Sequence, residues 1–176
     1  MTPSNEFLHT IQSGPLFVVS LLPTMAVGEW RMDWLWSLPI IATTVVFHAF
    51  SLRILNVGVS RLLKGRPETV LYEIFSVIVV GGTSFCCTAL LGFEAFMWAF
   101  AYNSLGAIPA GGNAMLYSIN ALTSYGHAAI DLQPRWQLMG ALEALNGWIL
   151  FGLTTAFMFN VIEAIWSSRT RSRTIH

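Results

Sequence analysis

Three stretches of nearly unbroken apolar residues dominate the chain, residues 34–55, 68–102 and 138–166. As α-helices, each is long enough to cross a hydrocarbon layer of about 30 Å, and the second, at roughly 50 Å, must tilt or project beyond it. Between the second and third stretches the pattern changes. Residues 113–121 form a short mixed segment, followed by Leu122-Thr123-Ser124-Tyr125-Gly126-His127 and then the polar link Asp131-Leu132-Gln133-Pro134-Arg135-Trp136. The short segment predicts a helix that reaches only halfway across a membrane. Irregular backbone at that depth is tolerated only where protein buries it or where it lines a water-filled path. The layout therefore predicts a re-entrant loop ahead of a full-length inner helix, and with it a pore.

Interruptions within the apolar stretches refine this picture. Trp34 and Trp36 lie where an aromatic belt is expected, and Pro39 falls near the start of its helix, a tolerable place for it. His48 and Arg53 break the apolar face, with Arg53 near enough to the end to snorkel. His48 reads first as a neutral imidazole hydrogen-bonded between helices, and a proton site is the functional alternative. Gly81, Gly82, Thr83 and Ser84 permit close helix approach or a bend. Residues 105–112, rich in Gly, Ala and Pro, read as a loop leading into the half-helix. Residues 14–27 are apolar but short and interrupted by Pro15 and Pro23, so residues 1–33 are expected to form an interfacial or re-entrant segment, or else a strained fourth span. Glu6 is the only charge ahead of that run, which argues against a secretory signal.

Composition and charge set the class and the orientation. With 55% hydrophobic and 10% charged positions among 176 residues, one all-α membrane domain is the economical reading. A net charge of zero gives no bulk attraction to nucleic acid. Seven of the nine basic residues fall at two places, Arg53, Arg61, Lys64 and Arg66 around the first connector and Arg169, Arg171 and Arg173 at the end. The positive-inside rule puts both in the cytoplasm. The expected divisions are thus residues 34–66 as first transmembrane helix and basic connector, 67–166 as pore domain, and 167–176 as a basic cytoplasmic tail. Cys86 and Cys87 are adjacent, poorly arranged for a structural disulfide and too few for a zinc site, so they read as packing residues.

Several motifs resemble the pore loop and inner helix of the tetrameric potassium-channel superfamily, in its small bacterial ion-channel branch. They are Tyr117-Ser118, Tyr125-Gly126, Arg135-Trp136, Gly140-Ala141-Leu142-Glu143-Ala144-Leu145-Asn146-Gly147 and Leu150-Phe151-Gly152. With the upstream helix, the similarity covers roughly residues 40–165. It implies three transmembrane helices per chain, with a re-entrant pore helix and filter loop before the last. It also implies a homotetramer in a bacterial inner membrane, with potassium or sodium as permeant ions and no cofactor. Against the family signature Thr-Val-Gly-Tyr-Gly-Asp, Leu122 stands at the Thr, Thr123 at the Val, Ser124 at the first Gly and His127 at the Asp.

The residues themselves set the expected roles. Conduction through a filter uses rings of backbone carbonyls, and glycines there supply dihedrals that side chains disfavour. Gly126 meets that need and Ser124 does not, while Leu122 removes a hydroxyl ring, so weak discrimination between potassium and sodium is expected. Thr123 and Ser124 offer hydroxyls to a hydrated cation instead. His127 is placed at the outer mouth, where four imidazoles would repel cations once protonated; metal ligation and simple hydrogen bonding are its alternatives. Glu143, beside Asn146 and one turn before Gly147, is expensive in a membrane unless paired. Arg135, Asn120, Ser118 and Glu94 are its neighbours by layout, and a hydrogen bond fixing pore helix to inner helix is the plainest role. Gly147 and Gly152 are hinge or packing positions, and Thr154, Thr155 and Met158 are expected to line a cavity. Two other classes stand beside the channel: a non-conducting membrane subunit, and, much weaker, a membrane enzyme using His48, Glu94, His127 and Glu143.

Overall fold

The structure, a computed structural model, describes residues 30–63, 70–126 and 132–173. Among the described residues every regular element is helical: α1 (Trp30–Leu63), α2 (Val70–Leu105), α3 (Ala114–Leu122), a 3-10 turn (Pro134–Trp136) and α4 (Gln137–Arg173). Three helices are long and apolar enough to cross a membrane, through spans of 34 residues each at Trp30–Leu63, Tyr72–Leu105 and Pro134–Ser167. Large apolar side chains such as Phe50, Val77, Phe85, Phe100 and Phe159 point outward, as lipid-facing positions do. This is an all-α membrane protein.

Helix ends depart from the sequence reading in instructive ways. α1 begins at Trp30 rather than 34 and runs on to Leu63, because polar residues such as Arg31, Asp33, Asn56 and Arg61 end the apolar run without interrupting the backbone ladder. Pro39 consequently lies inside α1 rather than near its start. The α2 helix ends where Gly106 takes φ +60, with Gly106 N–H bonded to Asn103 O at 3.2 Å and Ala107 N–H to Tyr102 O at 2.9 Å. These are the two backbone bonds of a Schellman closure, which a glycine makes cheap. α4 continues to Arg173, past the expected tail boundary at 167. The calls on residues 1–29, on Lys64 and Arg66, on His127 and on Asp131 lie outside the described residues.

α1 and α4 run in the same direction, since Thr44 meets Asn146 and the later His48 meets the later Thr154. α2 runs against both. The short α3 lies between α2 and α4, parallel to α4: Tyr117 is against Gly140, Ser118 against Glu143 and Leu122 against Gly147. Two apolar clusters close the bundle. One, at the α3 end, is built on Trp98, Tyr102, Tyr117, Ala121, Trp136 and Met139. The other joins Leu52 and Val59 of α1 to Val79 and Cys87 of α2 and to Phe157 and Val161 of α4.

Candidate functional site

The short helix α3 is fixed at both ends. Asn113 adopts an extended conformation and its side-chain oxygen accepts from Leu116 N–H at 3.0 Å, a standard N-cap. At the other end Ser124 N–H bonds Ala121 O and Tyr125 N–H bonds Asn120 O, both at 2.9 Å, with Ser124 at φ 54. This is a second Schellman closure, here with serine in the left-handed position where glycine is usual. The Ser124 hydroxyl accepts from Trp148 Nε1 at 3.0 Å, which ties the turn to α4. The expectation that Gly126 but not Ser124 supplies a glycine-like dihedral is corrected here: both take positive φ, Ser124 at 54 and Gly126 at 101.

Glu143 is the hub that holds α3. Its carboxylate, fully buried, accepts from Tyr102 OH at 2.6 Å and from Ser118 Oγ, and Ser118 also faces Ala95 O at 2.7 Å. One side chain of α4 thereby binds α2 and α3 together. Of the neighbours expected from layout, Ser118 is the one that partners Glu143; Tyr102, which was not among them, is the other partner. Tyr102 also stands edge-on to Tyr117, with ring centroids 5.2 Å apart. The same face has no room for side chains at two glycines. A Cβ on Gly147 would collide with the Leu122 carbonyl, and one on Gly140 with the Tyr117 hydroxyl. Gly147 is therefore a packing glycine at the foot of α3, whereas Gly152 faces open space.

Glu94, a neighbour of Glu143 by layout, is not among its hydrogen-bond partners. It meets His48 instead: His48 Nδ1 is 2.8 Å from Glu94 Oε1 and Nε2 is 2.9 Å from Thr154 Oγ1, with both ionisable side chains fully buried. The first reading of His48, hydrogen-bonded between helices, describes this geometry. Thr154, expected to line a cavity, points into that contact, because its hydroxyl satisfies a buried imidazole nitrogen. Thr155 is exposed and bonds back to Phe151 O, and Met158 is half-buried against the lower apolar cluster. Asn146 donates to Thr44 Oγ1 at 2.9 Å, adding a further tie between α4 and α1.

Thr123, Ser124, Tyr125 and Gly126 are exposed, Tyr125 at 85%. A largely apolar recess of about 370 Å³ opens beside them, lined by Leu91, Leu122, Thr123, Ser124, Gly147, Trp148 and Phe151. Beyond Gly126 the chain is next described at Leu132, where Gln133 N–H bonds Ala107 O at 2.9 Å, back beside the end of α2. The stretch from 107 to 133 thus leaves and returns to the same end of the bundle. No group of three or more His, Cys, Asp or Glu side chains suited to a metal occurs among the described residues.

Among the described residues, fold and site define an all-helical membrane protein with three helices able to span and a short helix clamped between two of them. Comparison with family models, with curated proteins and with solved structures finds no match.

Proposed function

We propose that the chain is the pore-forming subunit of a homotetrameric cation channel, with α3 as a re-entrant pore helix and residues 122–127 as the lining of the path. The observation that carries this reading is the placement of α3. It starts, and its chain returns, beside the C-terminal end of α2, it is locked to α4 through Glu143, and its C-terminal turn is exposed beside Gly147 and Trp148, about a third of the way along α4. The carbonyl end of a helix carries partial negative charge, which favours a cation in front of it. A single such element encloses nothing, so several copies must surround the path, and a ring of four is what the resemblance to tetrameric channels implies. Charge placement supports a cytoplasmic C-terminus, and a bacterial inner membrane is what the resemblance implies.

A non-conducting membrane subunit is the second reading, favoured by one detail. Leu122 is helical, Thr123 is in the right-handed helical region and Ser124 closes a helix cap, so the backbone here follows a turn rather than an extended column of carbonyls. Purified protein in planar bilayers separates the two. Unitary currents with potassium or sodium on either side support the channel. Silence with every monovalent cation, in protein that assembles, supports the subunit.

A further inference from the structure

We propose that His48, Glu94 and Thr154 form a proton-binding site inside each subunit, separate from residues 122–127. The three side chains come from α1, α2 and α4, and the site does not depend on whether the chain conducts. The geometry accepts a proton without losing a hydrogen bond. In the neutral imidazole one nitrogen donates and the other accepts; in the imidazolium both donate. With an ionised Glu94, Nδ1–H donates to the carboxylate and Nε2 accepts from the Thr154 hydroxyl. On protonation the hydroxyl turns and Nε2–H donates to Thr154 Oγ1, over the same 2.9 Å. If the carboxyl carries the proton instead, it donates to Nδ1 and Nε2–H again has the hydroxyl as acceptor. Three arrangements share one set of heavy-atom positions, the property expected of a site that exchanges protons.

A second observation points to a ligand here. Glu94 Oε2 is fully buried and has no hydrogen-bond partner among the described residues, as do Ser37 Oγ and Asn146 Oδ1. Buried polar atoms of this kind are ordinarily satisfied by water. On α1 the residues facing the bundle from the Trp30 end are Asp33, Ser37, Thr44 and then His48, all buried. Beyond His48 the same face turns apolar at Leu52 and Val59, in the lower apolar cluster. Buried polar side chains thus lie on the Trp30 side of the site, with Ile40 and Ile41 packed among them, and apolar side chains lie on the other.

The ionisable and charged groups around the pair are few. On α1 they are Asp33 toward one end and Arg53 toward the other, the latter exposed; on α2, Cys87 and Tyr102 flank Glu94. On α4 the nearest are Glu143, engaged with Tyr102 and Ser118, and Glu163, which is exposed; α3 brings Tyr117. The hydrogen-bond partners of His48 are Glu94 and Thr154.

The test is a titration of ring-labelled ¹⁵N-histidine in the full chain, in lipid nanodiscs, from about pH 8 to pH 4.5, a range that brackets the usual histidine titration. His48→Gln assigns the His48 signals by their disappearance. The expected result is a reversible movement of the His48 ring signals between neutral and imidazolium positions. Thr154→Val keeps the shape and removes the acceptor for Nε2–H, so it should lower proton affinity about tenfold, the loss expected for one hydrogen bond to a charged group. His48 signals that stay at one position across the range would overturn the proposal. So would a Thr154→Val midpoint unchanged within a factor of about two, because the site would then not use the hydroxyl.

Discussion

Ser124 is the residue at which backbone geometry and side-chain identity disagree most. Holding a non-glycine residue in the left-handed region costs about 1–2 kcal/mol, and the bond from Trp148 Nε1 returns part of it. Ser124→Gly should therefore stabilise the protein by about 0.5–1 kcal/mol, read as a raised midpoint of thermal unfolding in nanodiscs. Gly147 is the opposite case. Gly147→Ala puts a methyl onto the Leu122 carbonyl, and overpacking of this kind costs about 1–3 kcal/mol. The same unfolding assay should show a lowered midpoint, whereas Gly152→Ala, which meets open space inside a helix, should raise it slightly, by about 0.5–1 kcal/mol. At Glu143 the loss of one donor suffices: Tyr102→Phe leaves a buried carboxyl oxygen without its partner, at about 1.5–3 kcal/mol.

At the scale of the element, α3 depends on its caps and on Glu143 more than on its own length, since nine residues are too few for a stable isolated helix. Asn113→Ala removes the side-chain acceptor for Leu116 N–H and should cost about 1 kcal/mol. Hydrogen exchange should show faster loss of protection in residues 114–122 while α1 and the far end of α4 keep theirs. The short helix and its start at Asn113 were legible in the sequence, because a brief mixed segment between two long apolar runs has few other readings. The long helices were legible as existing but not at their ends. A polar residue in an apolar run marks a change of face, and only backbone geometry, as at Gly106, marks a stop. The pairing of polar residues was the least legible. Glu94 sits equally well by sequence beside Glu143 or His48, and only the registry of three packed helices sends it to His48. The spacing of Asp33, Ser37, Thr44 and His48 on one face of α1 was a readable signal that went unused.

For the whole molecule, the proposed function makes claims about assembly, selectivity and pH. Native mass measurement in nanodiscs should give four chains; monomers or dimers alone would remove the enclosed path. Bi-ionic reversal potentials should show weak preference between potassium and sodium, since Leu122 and Ser124 replace residues of a signature of which Tyr125 and Gly126 remain. His127 lies outside the described residues, and its placement at the outer mouth rests on the sequence. Protonating four imidazoles there adds positive charge, so external acid should reduce inward current, beginning near the usual histidine pKa of about 6.5 and spread over a broad range by mutual repulsion. His127→Asp should abolish that inhibition and raise conductance, and His48→Gln should leave it in place.

The claim beneath all of these is that the turn at the end of α3 borders the ion path. Thr123 is exposed beside the recess at Gly147, so it offers a position for a thiol. In a background with Cys86→Ala and Cys87→Ala, Thr123→Cys channels in planar bilayers would be treated with a small charged thiol reagent from each side in turn. The account predicts a stepwise fall of unitary current as the thiols react. Currents that persist unchanged after complete modification, confirmed by mass, would contradict it, and so would the absence of any current from assembled protein before the reagent is added.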